Sequence, residues 1–253
     1  MDINAYLNRI NYKGPLKADA ATLKALHRAH MTSIPFENLS IGMKEPVILT
    51  DKDLFQKIIL RKRGGFCYEL NGLFASLLRE LGFNVSMLSA AVAKRDGGFG
   101  PDFDHMALLV KLGEDYLADV GFGDLFLDPI LLKEGIEQKQ GNRTFRIDQE
   151  DKYFILNQRD RDDDWKKQYH FTLEPHGYED FSEMCQYNQT SPKSHFTQHT
   201  ICSLATPEGR ITISDKRLII TEGENKQERL LTDNAEYYDL LNKHFGIKLS
   251  AGS

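Results

Sequence analysis

A cysteine, a histidine and an aspartate stand in settings that ordinary packing leaves unexplained. Cys67 follows two glycines and an aromatic residue in "RGGFCYELNGLF", where an apolar-periodic helix begins. A thiolate is a nucleophile, yet a free thiol is scarcely ionised at neutral pH. The positive end of a helix dipole and a nearby imidazolium both favour the thiolate. Cys67 falls on the first turn of the expected helix, Arg63 adds positive charge just upstream, and Gly64 and Gly65 permit close backbone approach. The plain alternative is packing, because free cysteines are among the most buried residues. A base and a group to orient it would separate the two readings.

Among the eight histidines, His27, His30 and His244 fall on helical stripes and read as packing or surface residues. His195 and His199 have the i, i+4 spacing of a metal pair, but "HFTQH" lacks the glutamate of a zincin and a third ligand, so no metal is expected. His105 differs, because "DFDHMALLV" places it at the mouth of an apolar strand. Fourteen residues later, "YLADVGFG" places Asp119 in a second strand that is otherwise apolar. A carboxylate there needs a partner, and His105 can supply it. Register decides whether the two meet. A two-residue turn at Gly113–Glu114 puts them on opposite sheet faces, whereas a three-residue loop or a bulge puts them on the same face. The same-face arrangement is expected.

The elements that must position these residues change character at Gly82. Before it the chain reads as helical: "INAYLNRINY", a helix capped by Asp19 and ended by Pro35, and another capped by Thr50 with Asp53 at N3. The strongest periodicity runs through Leu70, Leu73, Phe74, Leu77, Leu78 and Leu81 and stops at Gly82. After it, "FNVSMLSAAVA", "HMALLVKL", "YLADVGF", "TFRID" and "KYFILN" suggest an antiparallel sheet or barrel over about 83–172. "GRITISD" and "KRLIITEG" read as a hairpin, and "EYYDLLNKHFGI" closes the chain as a helix.

Composition limits the function classes. The chain has 253 residues, 41% apolar and 27% charged, with a formal net charge of −5, which argues against nucleic acid or an anionic membrane as the main partner. No apolar run approaches the ~20 residues that span a bilayer, and no charged-then-apolar leader opens the sequence, so a cytoplasmic protein is expected. Cys67, Cys185 and Cys202 form neither a disulfide framework nor a CxxC site. "DRDDDW" spaces Asp160, Asp162 and Asp164 like a calcium loop, but Trp165 and Phe171 occupy the positions of its glycine and glutamate. "DGGFGPDF" has no lysine and no following helix, so it is a turn and not a phosphate cradle.

"RINY", "SIPFENLS", "RGGFCYELN", "DHMALLV" with "YLADVGFG", and "QTSPKSHFTQ" resemble, in order, the motifs of the arylamine N-acetyltransferase family from Arg9 to the C-terminal helix. The resemblance implies an α+β fold: a helical N-terminal domain (1–82), a central antiparallel β-barrel (83–190) and an interdomain segment with an α/β lid (191–253), around a papain-like Cys-His-Asp core. It implies Cys67, His105 and Asp119 as the catalytic triad. It further implies ping-pong transfer from acetyl-CoA, a co-substrate, to arylamines, hydrazines or N-hydroxyarylamines, with no metal. By the same resemblance Arg63 and Glu37 brace the site, Phe36 and Phe122 line the acceptor pocket, and Tyr187, Lys193 and Asp104 contact the cofactor. A monomer or weak homo-oligomer is expected. Two other readings remain open on the residues alone: a thiol hydrolase or amide synthase using the same triad, and a non-catalytic relative that binds CoA or a protein.

Overall fold

Helical spacing gives way to alternation at the expected place. The structure, a computed structural model, describes residues 1–161 and 163–249. The middle aspartate of the acidic run, Asp162, therefore lies outside the described residues. The first part carries α1 (Ile3–Arg9), α2 (Ala20–Met31), a two-residue strand β1 (Phe36–Glu37), the short α3 (Leu39–Gly42), α4 (Asp51–Phe55) and α5 (Cys67–Glu80). Asp19 caps α2 by accepting the Thr22 N–H at 2.9 Å, and Thr50 caps α4 by accepting the Asp53 N–H at 3.2 Å. Helix α4 does not run on as α-helix. It widens into a π-turn over Gln56–Leu60, and Arg9 Nε donates to the Ile58 carbonyl within that turn at 3.3 Å.

Helix α5 is more central than its leucine stripe implies. Every residue from Cys67 to Leu78 is buried, the polar ones included. Each polar side chain has a partner: Glu69 takes Lys57 at 2.7 Å, Ser76 donates to Asp51 at 2.6 Å, and Asn71 reaches the barrel. Glu69 also accepts the Phe66 N–H at 3.1 Å, which closes the N-terminus of the helix one residue before the thiol. At the other end Gly82, at φ 86°, turns the chain into the sheet.

The barrel follows as β2 (Asn84–Val92), β3 (His105–Lys111), β4 (Asp115–Ala118), β5 (Ile130–Leu131), β6 (Gln138–Gln140), β7 (Arg143–Glu150), β8 (Tyr153–Asp160) and β9 (Lys166–His176). These form one antiparallel sheet in the order β5-β4-β3-β2-β9-β8-β7-β6. Its two edges meet through side chains. Gln138 Oε1 accepts the Leu131 N–H at 2.8 Å while its Nε2 donates to the Leu131 carbonyl at 2.9 Å, and the Gln140 amide likewise satisfies Leu127 and Asp128. Two glutamines thus stand in for the missing backbone ladder of a nearly closed barrel.

Beyond the barrel lie α6 (Ser182–Thr190), α7 (His195–Gln198), β10 (Ile201–Ala205), β11 (Gly209–Ser214), β12 (Arg217–Glu222), β13 (Asn225–Leu230) and α8 (Asn234–Phe245). A second antiparallel sheet, β1-β10-β11-β12-β13, draws its first strand from the helical part of the chain. Sequence periodicity named the β11–β12 hairpin and α8 but neither β9 nor β13. In β9 a bulge against β8 and another irregularity against β2 break the alternation, and β13 is a wholly exposed edge strand with no apolar face. Among the described residues no helix is long and apolar enough to cross a membrane.

The β3–β4 register settles the loop. Lys111 pairs with Asp115 and Leu109 with Leu117, so the connection is three residues long and His105 and Asp119 share a face. Asp119 itself lies one residue beyond β4 and not inside it, as the sequence suggested. The chain leaves the sheet here because the N–H groups of Asp119 and Val120 are taken by the helical side chains of His27 and Asn71, and that of Gly121 by the Asp119 carboxylate. Gly121 then docks on α5: a Cβ there would lie 2.8 Å from Cys67 Cα and 2.7 Å from Asn71 Nδ2. Gly121→Ala must push barrel and helix apart. We expect a stability loss of about 1–3 kcal/mol, read as a lower urea midpoint. An unchanged midpoint would mean that this contact relaxes freely.

Candidate active site

Asp119 is fully buried and accepts three hydrogen bonds. Its Oδ2 takes His105 Nε2 at 2.7 Å, and its Oδ1 accepts from Asn71 Nδ2 and from the Gly121 N–H, both at 2.9 Å. Burial alone would raise this carboxyl, but the charge and hydrogen bond of His105, with Asn71 and Gly121, hold it below the usual carboxylate range. With Nε2 committed to Asp119, Nδ1 is the ring nitrogen left for a proton exchange.

The Cys67 thiol and His105 line one cavity of about 800 Å³, which runs between α5, the start of the barrel and the α6–α7 segment. The thiol is 3% exposed. Burial pushes it well up from its ordinary value, the Met106 backbone hydrogen bond opposes, and Cys185, Asp104 and Asp119 add to the rise. This is the reverse of what helix position alone led us to expect. The reason is physical: desolvation of a lone thiolate outweighs the helix dipole at this depth.

Two further residues complete the setting: His27, which the sequence left as a packing or surface residue, and Asn71, to which it assigned no role. His27 on α2 donates from Nδ1 to the Leu127 carbonyl at 2.7 Å, and its Nε2 accepts the Asp119 N–H at 3.1 Å. Asn71, one turn past the cysteine, donates to the Met106 carbonyl at 2.6 Å and accepts the Val120 N–H at 2.8 Å. Its i+4 spacing from Cys67 was the available signal; nothing in the sequence marked His27. Arg63 and Glu37 form a buried ion pair. Arg63 Nε and Nη2 grip Glu37 at 2.8 and 3.1 Å, and Glu37 also accepts the N–H groups of Leu39 and Gly64. Only glycine fits at position 64, where a Cβ would stand 2.0 Å from the Pro35 carbonyl oxygen.

Phe36 and Phe122 both line the cavity, and the Phe122 ring meets His105 edge-on at 5.2 Å. Tyr187, Lys193 and Asp104 line it too, together with Lys94, Met184 and Phe196. His195 faces the cavity, but His199 is engaged by Asp215 at 2.9 Å.

Burial holds the His27 ring down to about 4, so it is neutral at neutral pH. A depressed base binds its proton more tightly in the unfolded chain, so stability falls as pH drops below ~6.5, and the loss is complete near the folded value. The full span corresponds to about 3 kcal/mol. His27→Gln, which keeps an acceptor for the Asp119 N–H, should flatten the decline of the urea midpoint between neutral pH and about pH 5. An unaltered slope would show that another group titrates.

Comparison with known proteins bears on the whole chain. A family model described as N-acetyltransferase matches residues 19–253. Arylamine N-acetyltransferase 2 of Mus musculus is 34% identical over 275 residues, covering 98% of this chain and 95% of its own. Proansamycin X synthase of Amycolatopsis mediterranei (strain S699) is 31% identical over 252 residues, covering 96% of each chain. Among solved structures, the Mycobacterium marinum arylamine N-acetyltransferase in complex with CoA has a TM-score of 0.90 at 32% identity, over 97% of this chain and 93% of that one. With the fold, this identity and this coverage agreeing, the chain belongs to the arylamine N-acetyltransferase family and is an acetyltransferase.

Proposed function

We propose that the chain transfers an acetyl group from acetyl-CoA to the nitrogen of arylamines or hydrazines, or to the oxygen of N-hydroxyarylamines, through an acetyl-Cys67 intermediate. The observation that carries this reading is the thiol in one cavity with a histidine whose far nitrogen is bonded to a buried aspartate. His105 Nδ1 takes the thiol proton. Cys67 Sγ then bonds to the thioester carbonyl carbon, the bond to the CoA sulfur breaks, and His105 returns the proton to that sulfur. In the second half the acceptor nitrogen attacks the same carbon and its bond to Sγ breaks. The amine proton passes to His105, which restores the starting pair. Asp119 stays ionised, fixes the ring tautomer and offsets the imidazolium charge.

The cavity suits these substrates. Lys94 and Lys193 stand exposed on its rim, where phosphates of CoA can find counter-charges in spite of the acidic net charge. Phe36, Phe122 and Phe196 supply an aromatic wall for the acceptor. A cytoplasmic location fits this use of a free thiol. A synthase is among the relatives, so the amide-synthase reading is kept as the alternative; it predicts indifference to free acetyl-CoA.

Incubation with acetyl-CoA should add one acetyl group to Cys67 in the intact mass, and 4-methoxyaniline or a hydrazine should remove it. Cys67→Ala should abolish the adduct, and His105→Gln should slow its formation by at least about a hundredfold. No adduct on the unmodified protein would sink the reading.

The buried thiol also makes a sharp pH test. If Cys67 and His105 ionise as a pair, alkylation by iodoacetamide stays fast well below the free-thiol value of about 8.5, and His105→Gln loses that low-pH reactivity. Alkylation that rises only at or above the free-thiol value would show an isolated buried thiol and no ion pair.

A further inference from the structure

The cavity that holds the nucleophile also holds a second carboxylate. Asp104 immediately precedes His105, is half-buried, and lines the cavity beside both His105 and Cys67. Its placement is enforced. Phe103, just before it, sits at φ 63°, a left-handed conformation that is costly for a non-glycine residue. Ser89 Oγ accepts the Phe103 N–H at 2.8 Å, and the Tyr68 hydroxyl donates to the carbonyls of Phe103 and Asp104 at 2.7 and 3.2 Å. Tyr68 is the residue next to Cys67 and is itself held by Asn188 at 3.2 Å. The backbone of Asp104 is therefore tied to the turn that carries the thiol. Gly100 packs against its Oδ2: a Cβ there would come within 2.5 Å.

The two carboxylates beside the thiol do different things. Asp119 is spent on His105, Asn71 and Gly121. Asp104 has no such set of side-chain partners; burial pushes its carboxyl up, and His105, a Val92 backbone hydrogen bond and Lys94 work against that rise. Lys94, Lys193 and His195 also face this cavity, but all three are exposed at its rim. The sequence placed Asp104 among the cofactor contacts, yet a carboxylate is a poor neighbour for phosphates. It suits the other substrate, because an attacking amine nitrogen presents N–H donors and gains positive charge as it bonds to the thioester carbon.

We propose that Asp104 selects the acceptor by charge, favouring aryl amines and hydrazines that are neutral or carry a basic group and disfavouring those that carry a carboxylate. This rests on the acetyl-transfer reading above. An incoming carboxylate must lose water beside a fixed like charge in a half-closed cavity, where screening is weak.

The test uses preformed acetyl-enzyme and two acceptors of matched shape, 4-aminobenzoate and 4-aminobenzamide. Their deacetylation rates are compared in the unmodified protein and in Asp104→Asn, so that intrinsic nucleophilicity cancels. The benzoate-to-benzamide ratio should rise roughly tenfold in the variant, the effect of removing one like charge at short range in an intermediate dielectric. A change below about twofold would overturn the proposal. Should the variant fail to fold or to acetylate, the unmodified protein gives the answer by itself: its benzoate-to-benzamide deacetylation ratio should fall roughly tenfold below the ratio of the same two amines reacting with a small acetyl thioester in water. A ratio within about twofold of that in water overturns the proposal. Absence of any acetyl adduct on the unmodified protein would instead remove the acetyl-transfer reading, and this proposal with it.

Discussion

A carboxylate sealed from water between a helix and a barrel sets the constraint on which the architecture depends. Asp119 can remain charged there only if donors surround it, and they arrive from three directions. His105 comes along β3, Asn71 comes from α5, and the third donor is the N–H of Gly121 on its own strand-end turn. The backbone of the same segment is claimed as well, by His27 from α2 and by Asn71 again. The strand cannot continue because its N–H groups have been taken by side chains of the helical part. One interaction thus ends β4, fixes how α5 lies on the barrel and brings the imidazole to the cavity that holds the thiol.

A second buried ion pair does similar work on the other side of Cys67. Arg63 and Glu37 are both inaccessible, and Glu37 also collects two backbone N–H groups, so neither charge is left unpaired. Replacing such a pair by apolar residues is often tolerated, but losing one partner strands the other. That asymmetry explains why the two glycines matter. Gly64 lets the chain pass against the Pro35 carbonyl, and Gly65 leaves room for Glu69, whose Cβ would lie 2.7 Å from a Cβ there, while its carbonyl accepts the Glu37 N–H at 2.9 Å. The cysteine is thereby presented from a turn braced on both flanks.

Much of this was legible because chemistry-bearing residues stood out against an apolar background. Cys67 after two glycines, His105 at a strand mouth and Asp119 in an apolar stretch were each anomalous by type and position, and counting the loop residues showed what register would unite the last two. The supporting set was not legible. His27 looks like any histidine on a helical stripe, since a ring that accepts one distant N–H leaves no mark on local spacing. Burial of α5 from Cys67 to Leu78 was hidden because Glu69, Asn71 and Ser76 mimic a solvated face, and their partners Lys57, Asp119 and Asp51 come from elsewhere. Barrel closure by Gln138 and Gln140 was invisible for the same reason. Alternation failed in β9, where bulges reset the period, and β13 has no apolar face for a period to reveal.

The depth of the thiol turns the His105–Asp119 bond into a requirement. Burial opposes a thiolate at Cys67, and the nearby carboxylates of Asp104 and Asp119 oppose it further. The rim cations are exposed and screened, so they contribute little at the sulfur. A negative sulfur is therefore stable only alongside a positive imidazole, and moving the proton from one to the other leaves the net charge of the cavity unchanged. A positive imidazole in turn needs Asp119 ionised behind it, which is the state that its three donors enforce. On the proposed reading, the buried carboxylate that organises the fold also sustains the charge of Cys67, and a thiol that burial makes inert on its own would become reactive only as part of the set.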